Sequence, residues 1–320
     1  MMRKKIVSLC MALALCLGLL PVTALAAAEG APNSLYVGNQ QVISSSDITY
    51  WTTDKSTGGL TKYEGNDDNW NVKYDPTTVT LTLSGATIKG GSDVVSIPYG
   101  SGIYAQGSSN QPVTLTIELI GENTITGTFG IYVNATPPTT PGTDASLVIK
   151  KSGDNGDNGS LTVTGTGNSG LHIISGTGDA SLTIKNASVD AKTTQTYSSY
   201  AGVCVQSGSD ATSSPQLSLA VNGGSLTTSA SEGNDGIQFY VGSSEATGAT
   251  TSLTVSDNAI VRANGGIKAS RVDEPTPSGT GIVFDGNKGT VYGSVELQKD
   301  LEIKSGETLT IPEGDRKSVV

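Results

Sequence analysis

Gly102-Ile103-Tyr104-Ala105 and Gly130-Ile131-Tyr132-Val133 are the first two copies of the short motif that decides the fold. The motif consists of a glycine, an aliphatic residue, a variable residue and a small or apolar residue. It returns about 28 to 40 residues apart, and the later copies are Gly170-Leu171-His172-Ile173, Gly202-Val203-Cys204-Val205, Gly236-Ile237-Gln238-Phe239 and Gly266-Ile267-Lys268-Ala269. Such a return is typical of a repeat protein whose units stack on one another.

Two further apolar stretches lie between successive copies of this motif. The first alternates aliphatic residues and comprises Leu81/Leu83, Leu115/Ile117, Leu147/Ile149, Leu182/Ile184, Leu217/Leu219, Leu253/Val255 and Ile282/Phe284. The second follows a turn rich in Gly, Asn and Asp and carries Ile88, Ile125, Leu161/Val163, Val189, Leu226 and Ile260. A period of two predicts strands with the aliphatic residues pointing inward, so each unit contains three short strands.

Three strands per unit predict an all-β chain that forms a right-handed parallel β-helix over residues 79–314. The alternative is an antiparallel β-sandwich, which also has short strands at regular spacing. A sandwich does not require the same glycine motif to return once per unit, and a β-helix does. Residues 29–78 contain both tryptophans, Trp51 and Trp70, and we expect them to form an aromatic cap over the first rung.

The N-terminus has the pattern of a secretory signal peptide, which we assign to residues 1–28. Arg3, Lys4 and Lys5 precede an apolar run from Ile6 to Leu20, and small residues follow it. We therefore expect a secreted or cell-surface protein. No second segment of membrane length occurs, so membrane insertion is not expected. After cleavage one cysteine remains, Cys204, and it has no disulfide partner.

The charge of the chain argues against some partners. The formal net charge is -10, which disfavours binding to nucleic acid. Charged residues make up 15% of the chain, well below the usual quarter, and Ser, Thr, Gly and Asn supply the polarity instead. This composition is typical of an extracellular β-rich scaffold.

The last six residues, 315–320, differ in character from the repeats. They can be encoded by a string that matches a common short-read sequencing adapter. We therefore expect these residues to be an artefact and the β-helix repeats to be truncated.

Three stretches resemble one protein family. These are Asp68-Asn69-Trp70-Asn71-Val72-Lys73-Tyr74-Asp75-Pro76, Thr80-Leu-Thr-Leu-Ser-Gly-Ala-Thr-Ile88 and Ser305-Gly-Glu-Thr-Leu-Thr-Ile-Pro-Glu-Gly314. They are similar to β-helix modules of large surface proteins of Gram-positive bacteria, and the resemblance covers nearly the whole mature chain. It implies a β-helix at the cell surface, with adhesion or carbohydrate binding as the activity.

The predicted stacking of the glycine motif indicates a ligand site. Tyr104, Tyr132 and His172 follow the inward aliphatic residue and are expected to face outward in one stripe, with Gln106 and Asn134 in a parallel stripe. Aromatic rings beside amides suit a polysaccharide or a host or cell-surface glycan. We expect Tyr104 and Tyr132 to form an exposed pair, and Trp51 and Trp70 are the next candidates.

Other functions stay open at the level of sequence. Asp154 and Asp157 concentrate oxygen ligands that suit Ca²⁺, although the same residues also suit a tight turn. An enzyme of β-helix fold, a polysaccharide lyase or a glycoside hydrolase, is the runner-up to a non-catalytic binder. No pair of carboxylates returns at one strand position, and His172 is the sole histidine, which disfavours catalysis. A structural stalk is the third alternative.

Overall fold

The structure is a computed structural model. It describes residues 28–43, 47–65, 68–91, 100–136, 142–153, 159–196, 200–209, 211, 214–297 and 300–312. Five short strands come first: β1 (Ser34–Val37), β2 (Gln40–Gln41), β3 (Thr49–Thr53), β4 (Leu60–Lys62) and β5 (Val72–Asp75). The described residues contain no helix, and therefore none that could span a membrane.

The remaining strands form a coil and its C-terminal end. They are β6 (Thr80–Ser84), β7 (Thr87–Lys89), β8 (Ile103–Gln106), β9 (Val113–Ile120), β10 (Glu122–Gly127), β11 (Ile131–Asn134), β12 (Ala145–Lys151), β13 (Ser160–Gly165), β14 (Leu171–Ile174), β15 (Ala180–Thr193), β16 (Val203–Ser207), β17 (Gln216–Ser229), β18 (Ile237–Val241), β19 (Thr250–Ala263), β20 (Ile267–Ser270), β21 (Ser278–Asp285), β22 (Lys288–Tyr292) and β23 (Thr308–Thr310).

The coil has three sides, which the chain visits in turn. Side 1 contains β8, β11, β14, β16, β18 and β20. Side 2 contains β6, β9, β12 and the first halves of β15, β17 and β19, and side 3 contains β7, β10, β13, the second halves of those long strands, and β21. Neighbouring strands on each side are parallel. The chain is therefore a parallel β-helix of about five turns, and the sandwich alternative is wrong.

The inward aliphatic residues are confirmed. Every one of the six in the glycine motif is buried: Ile103, Ile131, Leu171, Val203, Ile237 and Ile267. They belong to one continuous core that runs along the coil. The preceding glycine is required by close approach between rungs, because a Cβ on Gly130 would lie 2.4 Å from the carbonyl oxygen of Gly170. That carbonyl accepts a hydrogen bond from the amide of Ile131 at 2.8 Å.

The corner between sides 2 and 3 is made by residues with positive φ. Gly121, Asn186 and Gly223 have φ values of 64°, 51° and 69°, which glycine and asparagine adopt at low cost. Asn123 lies just inside this corner and is 2% exposed. The side-chain Oδ1 of Asn123 accepts a hydrogen bond from the backbone amide of Ala86, and its Nδ2 donates to three backbone carbonyl oxygens. Asn123 therefore links adjacent rungs.

The last turns of the coil correct two sequence assignments. Asp257 and Asn258 both have positive φ, and the register shifts there. Consequently Val261 faces the core and pairs with Leu226, whereas Ile260, predicted to face inward, is only half-buried.

Ile282 and Phe284 belong to side 3 rather than side 2. They form a separate apolar cluster with Val291 at the C-terminal end. Arg262 covers this cluster, since its guanidinium lies 3.9 Å from the centre of the Phe284 ring and is paired with Glu307 at 2.7 Å.

The strands before the coil lie against its first rungs. β1 pairs antiparallel with β8 on side 1, and β5 pairs antiparallel with β6 on side 2. β3 and β4 extend the sheet beyond β5. Antiparallel strands at these two edges cover backbone groups that the first parallel rung would otherwise expose.

Substitution of Ile131 by Asp tests the inward assignment. An unpaired carboxylate in this core should lower the free energy of unfolding by several kcal/mol, on the order of the cost of a buried unpaired polar group. Thermal unfolding measures the loss. Thr254→Asp, at an exposed outward position of side 2, is the matched control and should unfold close to the parent. An Ile131→Asp protein as stable as the parent would contradict the assignment.

Candidate functional site

The outward residues of side 1 form two columns. Direct register partners in the first column are Tyr36, Tyr104, Tyr132, His172, Cys204, Gln238 and Lys268. The second column contains Gln106, Asn134, Ile174, Gln206, Tyr240 and Ser270. Successive members of a column lie about 4.8 Å apart, the spacing of adjacent strands.

The N-terminal end of these columns is closed. Tyr104 is 1% exposed and Tyr132 is 8% exposed. The Phe129 ring stacks on Tyr132, with 4.3 Å between centroids and 9° between planes, and Tyr104 lies 5.5 Å from Tyr132. The expectation of an exposed tyrosine pair is therefore wrong.

Two residues that sequence reasoning missed account for this burial. Phe129 lies between β10 and β11 and covers Tyr132 from the corner. Tyr36 arrives on antiparallel β1, opposite Tyr104, and packs against the same cluster. The sequence did carry a signal for Phe129, because it is an aromatic residue directly before the motif glycine Gly130. The pairing of β1 is a long-range contact that no local pattern predicts.

Asn134 and Gln106, both predicted to contact ligand, differ in burial. Asn134 is buried, and its Nδ2 donates to the Tyr104 hydroxyl at 3.4 Å. Its Oδ1 accepts from the Thr136 amide at 2.7 Å. Asn134 was predicted to contact ligand, but it is instead hydrogen-bonded to the buried tyrosine cluster. Gln106 is half-buried in the first rung of the same column.

His172 marks the boundary between the closed and the open part. Its ring contacts Tyr132 and Phe129 edge-on, with centroids 5.2 and 5.3 Å away. Its Nε2 lies 3.0 Å from Oε1 of Gln206, and its Nδ1 lies 3.5 Å from Oδ1 of Asn168. Burial lowers the pKa of His172 from its usual 6.5 to about 4, against a smaller opposite effect of the Gln206 bond. The imidazole is neutral at pH 7.

Cys204 follows His172 and is also covered. It is 3% exposed, and its Sγ donates to Oε1 of Gln238 at 3.7 Å. Burial, together with the charge of Asp235, raises the pKa of the thiol to about 12. A protonated, covered thiol is unreactive.

The open part of side 1 centres on Tyr240. Its ring is half-buried, and Gln206 and Ser270 are its register partners one rung before and one rung after. The Arg271 guanidinium lies 5.6 Å from the ring centroid and donates to the Gly242 carbonyl at 2.7 Å. The Tyr240 hydroxyl has no hydrogen-bond partner among the described residues. Tyr240 and Arg271, which comes directly after β20, were not among the predicted site residues.

The C-terminal rungs of side 1 carry charges of both signs. Lys268 and Glu274 form an exposed ion pair at 3.3 Å. Asp235 accepts a hydrogen bond from Gln238 at 3.4 Å. Burial raises the pKa of Asp235, and the nearby Lys268 partly offsets this effect. The open part therefore offers one aromatic face, amide groups and balanced charge.

The two tryptophans have different environments. Trp51 points into the core and is 8% exposed, and its Nε1 has no hydrogen-bond partner in the part of the chain that the structure describes. It is therefore unsuited to contact ligand. Trp70 is half-buried at the surface, and its ring centroid lies 5.8 Å from that of Tyr50 at a 59° angle.

The candidate calcium ligands Asp154 and Asp157 lie outside the described residues. Within the described ranges, no three His, Cys, Asp or Glu side chains are grouped so that they could hold a metal ion.

Comparison with protein-family models, with curated proteins and with solved structures finds no match for the chain.

The low pKa of His172 makes the stability of the fold depend on pH. Below pH 6.5 the unfolded chain binds a proton at this residue, and the folded chain does so only near pH 4. Stability should therefore fall as the pH decreases from 6.5 to 4, by about 2 kcal/mol after allowance for partial solvation of the ring. Melting temperatures of the parent and of His172→Gln over this range measure the effect. The melting temperature of the parent should fall relative to that of His172→Gln as the pH decreases from 6.5 to 4, and parallel curves would contradict the shift.

Proposed function

We propose that this chain is an extracellular, non-catalytic protein that binds glycans at the cell surface, and that the open part of side 1 is its binding site. The observation that carries the proposal is the half-buried Tyr240 ring, held between Gln206 and Ser270 and flanked by Arg271. The signal-peptide pattern and the resemblance to bacterial surface modules support the location.

The residues around Tyr240 match the chemistry of a neutral sugar. A pyranose has apolar C–H faces, which pack on an aromatic ring, and hydroxyl groups that need donors and acceptors at its rim. Gln206 and Gln238 supply both kinds of group, and Ser270 supplies a hydroxyl. The opposite charges of Lys268 and Glu274 favour no net charge on the ligand.

The column geometry suits a polymer rather than a single sugar. Rungs repeat about every 4.8 Å, so an extended glycan that runs along side 1 meets a new pair of outward side chains at each rung. The closed tyrosine cluster provides a rigid base for this surface, because it packs the outward face of the first rungs as tightly as a core. A rigid surface loses little entropy on binding.

Substitution of Tyr240 by Ala tests the site. The ring is worth about 1.4 kcal/mol if it stacks on a sugar, which corresponds to about a tenfold weaker affinity. Tyr240→Phe keeps the ring and should retain most of the binding. Tyr63→Ala removes a half-buried tyrosine of the cap and is the off-site control.

A panel of neutral polysaccharides, with retention and product release measured together, separates the functions. Retention without release, weakened by Tyr240→Ala alone, is the expected result. Release of reducing ends or of unsaturated sugars by the parent would mark a lyase or hydrolase. Absence of both retention and release would favour a structural stalk. Equal retention by Tyr240→Ala and the parent would move the site elsewhere.

A further inference from the structure

The outward face of side 2 carries a continuous column that begins in the N-terminal strands. Its members are direct register partners from strand to strand and therefore share one face: Tyr50, Lys73, Thr82, Glu118, Lys150 and Lys185. Their neighbours Trp51, Val72 and Leu83 point into the core instead. This column, the side 2 column, lies on a different sheet from Tyr240.

The side 2 column has an excess of positive charge. Glu118 is paired with Lys150 at 2.8 Å. Lys73 and Lys185 have no carboxylate partner among the described residues, and Lys185 is exposed. The adjacent carboxylate of Asp75 accepts hydrogen bonds from the amide and hydroxyl of Thr77. The local excess contrasts with a chain whose net charge is -10.

An aromatic platform stands at one end of the column. The rings of Tyr50 and Trp70 are tilted by 59° with centroids 5.8 Å apart, and both side chains are half-buried. On one side of the lysines the neighbouring outward column contains the small residues Thr116, Val148 and Thr183. Within the column Thr82 is buried, Lys73 is half-buried and Lys185 is exposed.

We propose that the side 2 column binds an acidic polysaccharide, one with a carboxylate on its sugars. The apolar face of a sugar packs against Tyr50 and Trp70, and carboxylates further along the polymer approach Lys73 and Lys185. Each exposed ion pair is weak on its own, and the repetition of charges along a polymer adds their contributions.

The test measures the affinity of the whole protein for immobilised polygalacturonate and for a neutral galactan. The parent should bind polygalacturonate at low salt and lose affinity as ionic strength rises. Lys73→Ala/Lys185→Ala should bind about tenfold more weakly, the sum of two exposed ion pairs. Lys55→Ala/Lys288→Ala removes the same charge at exposed positions outside the column and should bind like the parent. Trp70→Ala should also weaken binding.

The outcomes separate this site from the one on side 1. Tyr240→Ala should bind polygalacturonate as the parent does, whatever its effect on neutral glycans. No binding of polygalacturonate by the parent, or equal binding by the column and control lysine variants, would overturn the proposal. Unchanged binding by Trp70→Ala would also overturn the proposal, because this substitution removes the aromatic platform. Neither lysine belongs to the core, so the lysine variants decide the matter even if Trp70→Ala fails to fold.

Discussion

The parallel, in-register pairing of backbone between rungs is the constraint on which the rest of this structure depends. In every copy of the glycine motif but the last, the aliphatic residue donates its amide to the glycine carbonyl of the next rung, as Ile131 does to Gly170 and Leu171 to Gly202. In the last copy, Ile267 donates to the Asp285 carboxylate instead. The pairing fixes the register, so equivalent positions lie above one another along the coil. Inward positions thereby form one core, and outward positions form columns whose chemistry is set by a single residue per rung.

The outward columns show how one fixed geometry gives different surfaces. On side 1 the same position holds Tyr132, then His172, then Gln238, and the surface changes from a closed aromatic cluster to an open polar one. On side 2 an equivalent position holds Glu118, Lys150 and Lys185 and gives a charged line. No change in backbone is needed, so two outward faces of different charge are compatible with one scaffold.

The sequence predicted the coil because its signals are local and repeated. Each Gly-aliphatic copy specified its own inward residue, and all six are buried. The prediction from sequence failed where a contact between residues far apart in the chain determines burial. Tyr104 has the local pattern of an exposed residue, but Tyr36 on β1 and Tyr132 reach it from outside its own unit. Ile260 was misplaced because two positive-φ residues, Asp257 and Asn258, shift the alternation by one residue. Arg271 was missed because it belongs to no repeating position.

The most direct test of the in-register coil uses Cys204 as a ruler. Its register partner is Gln238, and parallel neighbours lie within the range that a disulfide can bridge, whereas residues two rungs apart do not. The protein is refolded under mild oxidation as Gln238→Cys and as Lys268→Cys, and the disulfides are mapped by mass spectrometry of peptides. The account predicts an intramolecular disulfide in Gln238→Cys and none in Lys268→Cys. A disulfide in Lys268→Cys with free thiols in Gln238→Cys would contradict it.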